Sequence, residues 1–353
     1  MRIAGDDGRV NALPARKSLV LIDPFGWPDC RQDGFCAEAG FELIERSAAL
    51  DPSAYFAPRA DSFSEEELAE AQAALIEDGV FADGAWTREY LDRDFAISDA
   101  LTLRFTPDSL ARVAVKFGWA LAYAAELGGA REITFAATDT STQPHEHLFI
   151  ALELRRRAVP FAALALSWPG EFEPAVEFTG DVEKFAGALA THAAIARFAG
   201  PYQLSFPHAE EKLALLPLIA RECGDAFHLQ LSGVAWMEAL RLIARGAPEL
   251  FRELLCAAQE HFIFDRVGHP LSTTEDDVRF LPSVPDAQLE NTFLDDPRGR
   301  QLLHVTAGSI LANPALAEPL RAIGTANAAA FRELCAAQLD RHLRALTGAE
   351  RTT

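Results

Sequence analysis

Residues 18–29 read SLVLIDPFGWPD. An apolar run stops at Asp23 and Pro24, the pattern of a buried strand that ends in a polar loop. The turn after such a strand separates two parallel α/β architectures. A doubly wound sheet carries a glycine-rich phosphate turn there. IDPFGWPD is not such a turn, and no GxGxxG or P-loop lysine motif occurs in the chain. A (β/α) barrel, with its working residues at the C-terminal ends of the strands, is the leading expectation, and the open sheet is its rival.

Similar runs recur at 132–137 (EITFAA), 160–167 (PFAALALS), 202–206 (YQLSF), 226–231 (AFHLQL) and 302–306 (LLHVT), with a weaker one at 2–5. Helical spacings lie between and after them, at 107–127, 146–157, 181–199, 210–221, 235–244, 248–262, 314–323 and 327–346. Strand, helix, strand in that order predicts parallel βαβ units. About seven parallel strands are counted, one short of a closed barrel. Either one strand escapes the reading, or a TIM-barrel-like sheet lacks its first unit. The whole chain, 1–353, is read as one barrel-like domain. Residues 25–105, with a capping box at Ser64 and Glu67, are read as a helical insertion after an early strand.

Asp and Glu number 52 against 32 Lys and Arg, a net charge of −20. That field opposes nucleic acid and anionic membranes, so neither is expected as a partner. No apolar run reaches the ~18–20 residues of a membrane span. The first residues lack the apolar core of a secretory signal. Five cysteines form no CxxC pair and read as buried free thiols, which points to the cytoplasm.

The expected strand ends and their loops supply Asp7, Asp23, Asp139, Glu171, His208, Gln230 and Thr306, and His304 falls inside the last expected strand. Carboxylates and imidazoles at converging ends suit a divalent cation (Mn, Zn, Ni or Mg) with an acid–base pair. His145, Glu146 and His147 stand side by side at a helix start. Neighbours do not share a helix face, so at most two could meet one ion. N-terminal capping behind Pro144 is the plainer reading, with Glu146 or His147 in a site as the alternative. No Gly-x-Ser-x-Gly elbow, papain-like cysteine or HExxH helix occurs.

Several segments, in order, resemble the tagaturonate/fructuronate epimerase family of sugar-acid enzymes. They are SLVLIDPFGWPD, TPDSLARVAVKFGWALA, EHLFIALELRRRAVPF, PGEFEPAVEFTGDVEKF, HAAIARFAGPYQLSF, FHLQLSGVAWMEALRLIA and RQLLHVTAGSIL. The resemblance implies a barrel-like fold, a divalent metal and inversion at one hydroxyl-bearing carbon of a keto-hexuronate. With it, Asp7, Asp139 and Glu146 are the expected catalytic residues. Asp23, Lys212, Gln230 and Thr306 are expected to bind substrate, with Lys212 as a carboxylate anchor. Glu171, His208 and His304 are the expected metal ligands. Three departures stand out. Gly8 occupies a histidine place of the family, Ala137 a glutamate place, and the family's histidine after the fifth strand is either displaced by one position, to His208, or replaced. A non-catalytic relative that binds a sugar acid or a partner subunit is the alternative. A missing first unit would leave a sheet edge exposed, so a homo-oligomer through that edge, or capping of it by the 25–105 insertion, is a further expectation.

Overall fold

The computed structural model describes residues 17–20, 42–44, 49–81, 84–136, 140–231, 233–279 and 283–347. Its strands are β1 (Ser18–Val20), β2 (Glu42–Ile44), β3 (Ala49–Leu50), β4 (Phe95–Ser98), β5 (Leu101–Leu103), β6 (Glu132–Phe135), β7 (Ala163–Leu166), β8 (Gln203–Phe206) and β9 (Phe227–Gln230). Its helices are α1 (Glu65–Glu77), α2 (Arg88–Leu91), α3 (Pro107–Glu126), α4 (Pro144–Arg156), α5 (Val182–Ala199), α6 (Leu216–Cys223) and α7 (Val234–Gly246). They continue with α8 (Pro248–Asp265), α9 (Glu275–Arg279), α10 (Pro297–Val305), α11 (Ala307–Ala312), α12 (Pro314–Ala326) and α13 (Ala328–Thr347).

Seven strands form one parallel sheet in the order β2-β1-β9-β8-β7-β6-β3, and β4 and β5 pair as a separate antiparallel hairpin. The register sorts the side chains into two faces, because a strand alternates with period two. Ile133, Phe135, Leu164, Leu166, Leu204, Phe206, Phe227 and Leu229 lie on one face and are sealed from solvent. They pack with Phe149, Leu154, Phe185, Leu189 and Ile219 of the surrounding helices. Each such burial contributes roughly 1.5–3 kcal/mol. The other face carries Ser18, Glu132, Ala163, Ala165, Gln203, Ser205, His228 and Gln230, small or polar throughout.

Local signals fix the helices around this sheet. Thr106 and Ser109 cap α3 reciprocally behind Pro107. Asp181 caps α5 through the amides of Glu183 and Lys184. Gly118 in α3 lets α1 approach closely, since a Cβ there would meet Leu75 Cδ2 at 2.8 Å.

Residues 302–306, expected as a strand, are helical. Asp296 accepts from the Arg298 amide and Pro297 takes the first helical position, so α10 runs through LLHV. The Asp-Pro start signal outweighs the apolar run behind it. Beyond β9, all the described regular structure is helical. Trp236, Leu240, Phe251, Leu254, Phe293, Leu302 and Leu320 form a second core there. Residues 25–105 also differ from a purely helical insertion, since β2 and β3 join the main sheet as its two outer strands. Both are too short to show an alternating pattern. Cys223 and Cys335 are buried free thiols as expected, but Cys256 is exposed. No described helix is long and apolar enough to cross a membrane.

Candidate metal centre

β8 ends at Phe206, and the chain turns at once through Pro207 and His208. His208 sits in the left-handed region (φ 50°, ψ 37°), uncommon for a residue with a Cβ. That turn leads into a short 3-10 segment, Ala209–Glu211. Glu210 is nearly sealed, and its backbone carbonyl accepts from His342 Nε2 of α13 at 2.9 Å. His304 comes from the last turn of α10. The Trp236 indole fixes that turn by donating to the Leu303 carbonyl at 2.7 Å.

His208, Glu210 and His304 converge so that one donor atom from each lies within 4.8 Å of the others. Glu210 Oε1 is 3.9 Å from His208 Nδ1 and 4.0 Å from His304 Nε2. Both separations are too long for hydrogen bonds. They suit a shared ion, because two donors each ~2.0–2.2 Å from one ion stand at most about 4.4 Å apart. Eight buried side-chain polar atoms lack a hydrogen-bond partner among the described residues. Four of them are His208 Nδ1, His304 Nδ1 and both Glu210 carboxylate oxygens. An unpartnered buried group costs ~1–3 kcal/mol, so this concentration at one point calls for a ligand.

The electrostatics agree. Burial holds both imidazoles well down, each to about 4. Glu210 opposes this at His208, and Arg300 adds to it at His304. Both rings are neutral at pH 7 and offer lone pairs. Two imidazoles and a carboxylate form a donor set that borderline divalent ions accept. Gly233, just past β9, stands against the cluster. A Cβ there would meet His304 Nδ1 at 2.7 Å and Glu210 Oε1 at 3.2 Å.

Two of the three expected ligands, His208 and His304, therefore meet, although His304 arrives on a helix. Glu171 does not join them. It is exposed and exchanges backbone hydrogen bonds with Thr179, and Glu210 stands in its place. Lys212 is buried with its ammonium donating to the carbonyls of Glu173 (2.7 Å) and Val176, which makes it a strut under the 171–179 loop. Thr306 is buried and donates to the Leu302 carbonyl at 2.8 Å, capping α10. Glu146 spends one oxygen on the Gln143 amide (2.7 Å) and the other on Lys116 Nζ (2.5 Å). The capping reading of the His145–His147 stretch thus fits the geometry. His147 is sealed, with Nδ1 against His192 Nδ1 (3.0 Å) and Nε2 against the Tyr202 hydroxyl (2.6 Å). Asp7, Asp23 and Asp139 lie outside the described residues.

A second polar cluster lies on the small-and-polar face of the sheet. Glu132 Oε1 accepts from Gln230 Nε2 at 2.7 Å, and Oε2 accepts from Ser205 Oγ at 2.6 Å. His228 Nε2 is 3.5 Å from Glu132 Oε2, and its Nδ1 meets Ser18 Oγ at 2.8 Å. Gln230 is at a strand end, as expected. Glu132 and Glu210 are not among the residues expected from sequence. Glu210 stands two residues past a candidate histidine. Glu132 opens a strand with period-two alternation (EITF), which marks a polar face.

A parallel α/β sheet packed with helices, with two histidines and a carboxylate gathered so that they could hold one ion, is an α/β protein with a candidate metal-binding triad. The chain belongs to the tagaturonate epimerase family, whose model matches residues 37–346. A tagaturonate/fructuronate epimerase of Thermotoga maritima is 36% identical over 217 residues, 62% of this chain and 45% of that protein. The match thus spans a little under half the length of that relative. A glycerol-complexed crystal structure of fructuronate-tagaturonate epimerase UxaE from Cohnella laeviribosi superimposes with a TM-score of 0.83. It is 21% identical and covers 94% of this chain and 82% of that one. The native form of the same enzyme gives 0.72 at 25% identity, over 90% and 66% of the two chains. At these identities the superpositions speak for the fold.

Proposed function

We propose that this chain is a hexuronate epimerase that interconverts tagaturonate and fructuronate with a divalent cation held by His208, Glu210 and His304. The observation that carries this reading is the convergence of one donor atom each from His208, Glu210 and His304, three residues that hold four unpartnered buried polar atoms, in a chain of this family. When bound, the ion supplies a Lewis acid that polarises the carbonyl and hydroxyl oxygens of the sugar acid. It also offsets the repulsion an anionic substrate meets from a chain of net charge −20. Glu210 balances the ion's charge, while the two neutral imidazoles hold it without competing for protons. For the proton transfers the proposal keeps Asp7 and Asp139. Asp139 comes after β6, the strand that carries Glu132.

The reading includes a barrel-like closure of the sheet. β2 and β3 are its two outer strands, yet only five residue steps separate Ile44 from Ala49. Five steps reach at most ~17–18 Å. Seven flat strands would put those edges ~29 Å apart, so the sheet curls. Closure would partner or cover the edges within one chain. Homo-oligomerisation through a free edge is the outcome if they stay open, and light scattering separates the two. Cytoplasmic location is part of the same reading, supported by free thiols at Cys223, Cys256 and Cys335.

The experiment is direct. Chelator-stripped protein is reloaded with Mn²⁺, Zn²⁺, Ni²⁺ or Mg²⁺ and given tagaturonate, with fructuronate followed by NMR. Metal-dependent epimerisation is expected, together with about one ion per chain by elemental analysis. Absence of turnover with every ion sinks the reading. It would favour the second one, a non-catalytic sugar-acid binder. Against that second reading stands the cost of keeping four buried donor atoms unpartnered.

A further inference from the structure

The polar-face cluster has a direction. Gln203 Nε2 donates to Ser18 Oγ (2.8 Å) and to the Phe227 carbonyl (3.0 Å). Ser18 has one hydroxyl proton, and the arrangement sends it to His228 Nδ1. His228 then carries its own proton on Nε2, facing Glu132 Oε2. Glu132 accepts on both oxygens, from Ser205 and from Gln230. A carboxylate only accepts, so the Gln230 amide must turn its NH2 inward. Its carbonyl oxygen is left pointing away from Glu132, and no described group donates to it.

Exposure and register say what that oxygen faces. Ser18, Glu132, Gln203, Ser205 and His228 are each at most 3% exposed, whereas Gln230 is only half-buried. The register Phe206↔Leu229 continues to put Gln230 level with Pro207, one step below His208. Three residues on, Gly233 touches His304 and Glu210. Gln230 is thus the half-exposed end of the sealed cluster, on the strand that leads three residues on to Gly233 and the candidate metal centre.

We propose that Gln230 contacts the sugar acid, accepting a hydrogen bond from one of its hydroxyl groups. Glu132 is the buried positioning residue that fixes which end of the amide the substrate meets. This rests on the epimerase reading and adds a specificity element to it. A site built around an aimed acceptor rejects an analogue that lacks the matching hydroxyl, because the acceptor is then left unpaired. Glu132 itself does not reach the substrate. Ser205, Gln230 and His228 enclose it, and burial, only partly offset by the Ser205 and Gln230 bonds, raises its pKa.

The test separates binding from chemistry. In metal-loaded protein, Gln230→Met is expected to raise KM for tagaturonate about tenfold, the weight of one neutral hydrogen bond, with kcat within about threefold. Glu132→Met should move KM the same way at unchanged metal content. Glu132→Gln, which keeps an acceptor for the amide, should recover most of the loss. If Glu132→Met fails to fold, Gln230→Met decides alone, since Glu132 keeps Ser205. An unchanged KM in folded Gln230→Met overturns the inference and leaves the epimerase reading standing. So does a loss confined to kcat. If the wild type turns over no keto-hexuronate, the epimerase reading fails first and this inference falls with it.

Discussion

Gly233 and His304 are in contact so close that no side chain fits between them. A Cβ on Gly233 would stand 2.6 Å from His304 Cε1 and 2.7 Å from Nδ1. The backbone of Gly233 is ordinary, with φ at −83°, so space rather than conformation demands glycine. The loop after β9 therefore sets how near α10 can bring its histidine to Glu210.

Gly233→Ala should push His304 away from Glu210. Metal affinity is expected to fall at least tenfold, since a displaced ligand loses most of its bond. The fold should tolerate the change, because the atoms in the way are the far end of the His304 side chain, which can swing aside without moving backbone. Titration calorimetry with Zn²⁺ or Mn²⁺, alongside thermal melts of the metal-free protein, checks both halves. Unaltered affinity would mean that His304 is not a ligand.

Glu210→Gln separates function from stability by sign. The variant should lose metal and at least about a hundredfold of activity. Its metal-free form should melt at or above the wild type, because a buried carboxylate with two unpartnered oxygens is replaced by a neutral group. A lower melting temperature in the presence of chelator would show that Glu210 has a structural partner instead.

Much of the scaffold is legible in the sequence. β6, β7, β8 and β9 lie inside the expected runs, and most of the long helices begin and end within a few residues of expectation. What escapes has physical causes. β2 and β3 span three and two residues, too few for a pattern. LLHVT has the composition of a strand, while the Asp296-Pro297 signal before it specifies a helix. For the site, histidines past strand ends are visible, but the partner acid is not. Glu171, past a strand end, is the carboxylate the sequence points to, and only the left-handed turn at His208 brings Glu210 to the histidines instead. The polar face is hidden as long as the apolar runs are taken as uniform. EITF, QLSF and FHLQ in fact alternate, and their polar halves form the Glu132, Ser205 and His228 cluster.

Stability should fall with acid in a defined window. Burial depresses His192 and His228 to about 4, against 6.5 in the unfolded chain. The unfolded state therefore takes up protons first as pH drops. The stabilisation is fully present above pH 6.5 and is lost progressively towards pH 4, at a ceiling of about 3 kcal/mol per histidine. Glu132 acts in the opposite sense, since its raised pKa favours the folded state at low pH. Denaturant melts of the metal-free protein at pH 7.5, 6 and 5 should show the decline. A flat profile would mean that these histidines titrate in the fold as they do in the unfolded chain.

Glu146 is the sharpest test of a residue that sequence placed in the chemistry and geometry places in a cap. Its carboxylate closes the first turn of α4 on the Gln143 amide and pairs with Lys116 Nζ, which also holds Asp61 at 2.9 Å. Burial pulls the Lys116 pKa down, but the hydrogen bonds its ammonium donates to Glu146 and Asp61 outweigh this and keep it raised. Glu146→Gln leaves Lys116 with one partially exposed partner, which should cost about 2–4 kcal/mol. Adding Lys116→Met should cost less than the sum of the two changes, because the uncompensated charge is removed with its partner. Neither change should alter kcat in the folded fraction. A hundredfold loss of kcat in Glu146→Gln with an unchanged melting temperature would return Glu146 to the catalytic set.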